Sequence, residues 1–304
     1  MSYHIVTIDS PTAYLNYEHG QFICVTDTGT QQLPLADIGA IVVCCFSAKI
    51  EMRLLTEAAK LGVGVILCEC FKPECIVLPA QRSTDTELTR VWQKVPEKFL
   101  KELWQKTLDA KCHNQWALAK LWLPEHPAIA DIGSQKFLRY RAREGTVSRL
   151  YWGVFRKKVN NEKFIRSRGK DLVNSFLDYG YSVLLARILQ ICFAYGLDPT
   201  YGIGHVSSER STALAYDLME PFRPLVDAKV MEWLARGKEE LVLNKEFKQY
   251  LLSFLQERIL YQGAEQQAQT VMEISIRSFR ACLLQKKMEI YDPWMAVDSK
   301  WGGC

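Results

Sequence analysis

The chain has 304 residues, 48% of them hydrophobic and 24% charged, with a net charge of +4. That length and apolar content suffice for one large domain or two ordinary ones, and exclude a disordered or low-complexity chain. The longest apolar runs, Ile41 to Phe46 and Val63 to Cys68, are far too short for a membrane span, and Met1-Ser2-Tyr3-His4 lacks the basic and apolar parts of a secretory signal, so a soluble, cytoplasmic protein without a membrane partner is expected.

Up to about Arg82 the pattern reads as strands. Tyr3 to Ile8, Ala13 to Tyr17 and Phe22 to Thr26 are β-rich runs separated by Asp9-Ser10-Pro11, Glu18-His19-Gly20 and Asp27-Thr28-Gly29. Ile38 to Cys45 is almost continuously apolar and suits a strand buried on both faces. Ser47 to Leu61 has helical period, with Ser47 as N-cap and Gly62 as C-cap, and Val63 to Cys68 is a second buried strand, so a parallel crossover is expected. From Thr84 the period becomes helical. Leu88 to Trp122 forms one or two helices broken at Pro96, Ser134 to Phe155 a basic helix, and Asp171 to Tyr195 an apolar helix ended by Gly196. Ser211 to Arg236 is helical with a kink at Pro221 and Pro224, and Asn244 to Tyr261 and Ala264 to Lys287 are two amphipathic helices. Tyr291 to Cys304 is an irregular tail, docked through Trp294 and Trp301. The expected fold is α+β: a small β-rich domain with one helix over residues 1–82, followed by a larger all-helical catalytic domain over 83–304 with an irregular tail.

The charge is unevenly spread. Residues up to Arg82 carry five Lys/Arg against eight Asp/Glu, while Lys136 to Lys170 carries twelve Lys/Arg against only Glu144 and Glu162. A charge run ordinarily solvates a helix face, but one with so little compensating acid is the footprint of a polyanion-binding surface. The ten cysteines read as reduced thiols, and Cys68-Glu69-Cys70 with Cys75 lacks the second pair that a zinc site needs.

Three separated segments carry metal-competent side chains. His205 ends the turn Tyr201-Gly202-Ile203-Gly204-His205. Asp217 and Glu220, three residues apart, share a helical face. Glu144 lies within the basic run, followed by Gly145, an unusual helix-interior residue that suits close approach of a backbone or ligand. Each has a plainer reading, as a helix-terminal histidine, charges near a proline kink, and a carboxylate paired with neighbouring arginines; Arg223 can pair with either acid. Together, oxygen donors with one imidazole suit a hard divalent cation beside a phosphate-binding surface.

The chain resembles the CRISPR-associated spacer-acquisition integrase, the metal-dependent endonuclease subunit of the adaptation complex. The resemblance is carried by Arg143-Glu144-Gly145 with Arg149-Leu150-Tyr151-Trp152, by Asn174 with Leu177-Asp178-Tyr179-Gly180-Tyr181, by Gly196-Leu197-Asp198-Pro199 with Gly204-His205, and by Asp217-Leu218-Met219-Glu220-Pro221-Phe222-Arg223-Pro224-Leu225-Val226-Asp227. The look is nearest to members from systems with a single large effector nuclease. Leu172 stands where the family commonly has Pro, at a helix start and away from the metal ligands.

The resemblance implies that Glu144, His205 and Glu220 hold Mg²⁺ or Mn²⁺, with Asp217 an auxiliary catalytic acid. It implies insertion of short DNA duplexes into a CRISPR array by attack of a 3′-hydroxyl on a repeat phosphodiester. It also implies a homodimer through the β domain, with a small second adaptation subunit bridging two dimers. Double-stranded DNA would lie along Arg139, Arg141, Arg143, Arg149, Lys157, Lys158, Arg166 and Arg168. The competing readings are a stand-alone metal-dependent nuclease for branched DNA in repair, and a non-catalytic DNA-binding scaffold.

Overall fold

The computed structural model describes residues 4–69, 72–77, 86–134, 142–166, 171–205, 212–236 and 243–297. Two four-stranded sheets occupy its N-terminal part. In the first, β1 (His4–Ile8), β5 (Ile38–Val43), β7 (Gly64–Glu69) and β8 (Lys72–Val77) lie in the order β1-β5-β7-β8. β1, β5 and β7 run parallel and β8 antiparallel. In the second, β2 (Tyr14–Glu18), β3 (Gln21–Thr26), β4 (Gly29–Pro34) and the short β6 (Lys49–Ile50) lie in the order β4-β3-β2-β6. The helix α1 (Met52–Lys60) connects the parallel strands, as expected.

The continuous apolar runs have a simple cause. Alternate residues of a strand face opposite ways, and both faces of the first sheet are covered. Ile41, Val43 and Val65 enter a small core with Leu15, Phe22, Leu35 and Leu54, while Val42, Ile66 and Cys68 enter a larger core with the helices. β4 and β8 were not legible. Gly29–Pro34 is mostly exposed and polar, and Lys72–Val77 contains Pro73. Both lie at sheet edges, where neither alternation nor a full set of N–H donors is required. Ser47 is not a helix cap: its hydroxyl donates to the Pro11 carbonyl at 2.6 Å, Lys49–Ile50 pairs with β2, and the helix begins only after Glu51.

Pro96 separates α2 (Thr86–Gln93) from α3 (Glu97–Trp122). α4 (Ala128–Ser134) and α5 (Ala142–Lys158) follow. The central helix α6 (Leu172–Ala194) is buried along nearly its whole circumference, packing on β5, β7 and β8 and also on the helices α7 (Ala213–Met219), α8 (Arg223–Ala235) and α10 (Ala268–Gln285). Its start carries the leucine that departs from the family pattern, and Asp171 supplies the cap, accepting from the Asn174 N–H at 2.9 Å. Gly196, at φ 68°, ends the turn after it. Between α7 and α8 the chain tightens into a 3-10 turn at Glu220–Phe222, where the two prolines were expected to force a kink.

The second half is not all-helical. α9 (Lys245–Leu252) and α10 are separated by a hairpin, β9 (Arg258–Tyr261) and β10 (Ala264–Gln267), where two helices were expected to meet. The turn residues Gln262 and Gly263, at φ 51° and 80°, are the left-handed pair that a tight hairpin needs. The tail docks as expected at Trp294, which is fully buried and stacks on Phe222 at 5.9 Å; Trp301 lies outside the described residues. Among the described residues no helix is long and apolar enough to cross a membrane, and eight cysteines are free thiols.

Candidate active site

The long helix α3 carries an unexpected polar face. Thr107, Lys111 and Asn114, spaced i, i+4 and i+7, are all buried. The outer two fasten neighbouring segments. Thr107 bonds the Tyr291 hydroxyl at 2.9 Å, and the Asn114 amide donates to the carbonyls of Pro221 and Trp294 at 2.7 and 3.0 Å. The middle residue reaches two acids. The Lys111 ammonium lies 2.6 Å from Glu144 Oε1 and 2.7 Å from Glu220 Oε2. Glu144 stands in the first turn of α5, where the helix dipole favours a carboxylate, and Glu220 opens the 3-10 turn. The two carboxylates, 76 positions apart in sequence, thus converge on one cation.

Glu220 is 4% exposed, so its ionisation needs partners. Arg223 Nε donates to its Oε1 at 2.9 Å. Burial alone would raise the carboxyl pKa, but Arg223 and Lys111 outweigh it and hold it down to about 2. Burial likewise works against the Lys111 charge, yet Glu220 and Glu144 keep its pKa above the ordinary lysine value.

Asp217 is wholly buried and plays another part. Its carboxylate accepts from the backbone N–H groups of Ile203, Gly204 and His205 at 2.6, 2.9 and 3.1 Å, and from His205 Nδ1 at 2.5 Å. A carboxylate only accepts, so Nδ1 carries the proton and Nε2 is left for a ligand or a transferred proton. The bond to Asp217, against the effect of burial, raises the imidazole pKa above its ordinary value. Both glycines of the turn are required. A Cβ on Gly202 would stand 2.3 Å from the His205 carbonyl, and one on Gly204 2.2 Å from the Trp104 ring. The Trp104 ring in turn meets His205 edge-on at 5.6 Å. By contrast, among the described residues a Cβ on Gly145 would meet nothing within 4 Å, so the close approach expected there is not made by them.

The predicted ligands are therefore brought together unequally. Glu144 and Glu220 share Lys111. His205 is near enough to Glu220 for each to influence the other's charge, but is fastened to Asp217. Among the described residues no group of three His, Cys, Asp or Glu side chains is arranged to hold a metal ion. The donor chemistry nevertheless fits a hard divalent cation: two carboxylates already converge on a positive charge, with an imidazole beside them.

Residues 6–254 match the family model described as "CRISPR associated protein Cas1". The chain belongs to the Cas1 family. It is 26% identical, over 90% of each chain, to the CRISPR-associated endonuclease Cas1 of Neisseria meningitidis serogroup C strain 8013. Two solved structures share the Cas1 fold seen here. A casposase bound to integration product superposes with a TM-score of 0.77 at 22% identity, covering 94% of this chain and 92% of that one. A Cas6-RT-Cas1–Cas2 complex gives a TM-score of 0.77 at 14% identity, covering 97% and 36%.

Within this Cas1-family chain the basic residues divide. Arg149, Lys157 and Lys158 are exposed on α5, the helix that carries Glu144. Arg166 turns inward, donating to Asn174 and Asp178 at 2.9 and 2.8 Å and lying over the rings of Trp152 and Tyr181. Arg143 belongs to α5, but its side chain, like Arg139, Arg141 and Arg168 altogether, lies outside the described residues. Lys111 escaped the sequence reading. Its local sign was the spacing of Thr107, Lys111 and Asn114, which nothing sets apart on a helix that also carries Lys101, Lys106, Asp109 and Lys120.

Proposed function

We propose that this chain is a Mg²⁺- or Mn²⁺-dependent integrase and endonuclease that inserts short DNA duplexes into a CRISPR array. A 3′-hydroxyl of the duplex would attack a repeat phosphodiester, forming one phosphorus–oxygen bond and breaking another with release of a 3′-hydroxyl. The observation that carries the reading is the convergence of Glu144 and Glu220 on one cation in a Cas1-family chain.

Glu144, Glu220 and Nε2 of His205 would hold the metal, which would lower the pKa of the attacking hydroxyl and neutralise charge at phosphorus. The surrounding residues fix these groups. Arg223 keeps Glu220 ionised, and Asp217 fixes the His205 tautomer. Arg149, Lys157 and Lys158 would take phosphates of double-stranded DNA without reading its sequence. Pairing of two copies through the β-rich part would suit the exposed edge strand β4. A small second subunit would bridge two such dimers; one solved structure of similar fold is a Cas6-RT-Cas1–Cas2 complex. The reaction would take place in the cytoplasm.

The test supplies purified protein, with and without its second subunit, with duplex ends and a repeat-containing plasmid in Mn²⁺. Joined product is expected, and Glu220→Ala should lower it by at least about a hundredfold, the usual scale for a lost charge-stabilising group. The name endonuclease borne by the relatives favours a second reading, cutting without joining; cleavage with no joined product would select it. Processing unchanged in Glu220→Ala would instead leave a DNA-binding scaffold.

A further inference from the structure

Lys111 has no part in the reaction as written above, although it is the cation that both glutamates share. Its ammonium contacts one oxygen of each carboxylate, at 2.6 and 2.7 Å, from a side chain only 11% exposed. With Arg223 on the other oxygen of Glu220, two negative charges face two positive ones. The cluster is neutral as it stands. A divalent cation entering a neutral cluster, buried at Lys111 and Glu220 and half-open at Glu144, gains little from net charge, and it meets an ammonium on the same oxygens, where like charges repel.

We infer that Lys111 is a built-in counter-ion for this site. It draws Glu144 and Glu220 together when no metal is bound, and it competes with the divalent cation for their oxygens, which sets the metal affinity low. The inference rests on the reading of Glu144 and Glu220 as metal ligands. It differs in sign from a simple positioning role. If Lys111 only pre-arranged the carboxylates, removing it would weaken metal binding; a competitor's removal strengthens it.

The experiment measures the dissociation constant for Mn²⁺ by electron paramagnetic resonance of free Mn²⁺, on the full chain without DNA. Glu144→Gln and Glu220→Gln serve as controls and should each weaken the site. Lys111→Met removes the charge and keeps most of the stem. It should bind Mn²⁺ about tenfold more tightly or better, a conservative share of the Coulomb interaction of a single with a double charge at this range. Lys111→Arg retains the charge and should bind no more tightly than the unaltered protein. In EDTA, Lys111→Met should melt at a lower temperature than the unaltered protein, and saturating Mn²⁺ should raise its melting temperature by a larger amount. If Lys111→Met does not fold in either condition, Lys111→Gln replaces it.

An affinity for Mn²⁺ that is equal or weaker in Lys111→Met overturns the inference and leaves the metal site standing. A Mn²⁺ site indifferent to both Glu→Gln controls, or no site at all, overturns the metal reading itself and this inference with it.

Discussion

Asp217 is the residue whose role follows most directly from its bonds. Its carboxylate gathers three backbone N–H groups and one imidazole nitrogen, so it shapes the turn and fixes the histidine in one contact. Because that bond raises the His205 pKa, the imidazole titration followed by NMR should lie above the ordinary range and fall in Asp217→Asn. The sign also bears on stability. A group raised on folding stabilises the folded state below its unfolded pKa, and the contribution fades as pH rises through the folded value. Gly204 is constrained by space, not by backbone angle. In Gly204→Ala the new methyl must displace the Trp104 ring, so the denaturation midpoint should show a loss of about 1–3 kcal/mol, the cost of overpacking. The sequence displayed the histidine, both acids and both glycines. It could not display Lys111, because nothing near residue 111 in the chain announces that α5 and the 3-10 turn will meet there.

The run from Glu220 to Asp227 shows why one short element carries so recognisable a sequence. Glu220 faces the shared cation, Pro221 lends its carbonyl to Asn114, Phe222 stacks on Trp294, and Arg223 both holds Glu220 and covers the Tyr181 ring at 4.6 Å. Val226 packs so close to α6 that a Cβ on Gly180 would stand 2.3 Å from it, which accounts for the glycine between two tyrosines. Asp227 ends the run, accepting from the hydroxyls of Tyr151 and Tyr181 at 2.7 and 2.6 Å. Burial pushes its carboxyl up to about 6, against the two tyrosines. Between its unfolded pKa and about 6, the folded state therefore holds a proton that the unfolded chain has released. Through this group stability should fall as pH rises across that window, by on the order of 3 kcal/mol. Urea midpoints measured from pH 4 to 7 should show the slope, and Asp227→Asn should flatten it. That variant should also lose about 1–3 kcal/mol, since its amide NH₂ cannot accept from the second tyrosine. Elements with a periodic apolar face were legible at this scale; β4, β8 and the hairpin β9–β10 were not. Their residues are edge-exposed, proline-bearing or too short to set a period.

At the scale of the molecule, two cores meet across one sheet. The small core lies between the two sheets, while α6 covers the other face of the first sheet and joins it to the helices that carry the site. The change of pattern near residue 84 was visible because strand period gives way to helical period. What it did not reveal was how firmly α6 ties the halves together. The charge asymmetry was equally visible, and it locates Arg149, Lys157 and Lys158 on the exposed side of the helix bearing Glu144. If those three meet phosphates, replacing them by alanine should reduce the slope of log affinity for duplex DNA against log salt by about 2 to 3. An unchanged slope measured by fluorescence anisotropy would move the DNA path elsewhere.

The docked tail sets an order of assembly. Asn114 grips the carbonyl of Pro221 with the same amide that grips Trp294, and the Trp294 indole forms the far wall behind Phe222. A ribosome delivers residue 294 long after residues 111, 144 and 220. During synthesis the turn bearing Glu220 therefore exists without its backing until the segment around Trp294 has been made. A chain made only as far as α10 therefore carries both glutamates without the wall that holds one of them, and a potential DNA-cutting centre is unfinished at that stage.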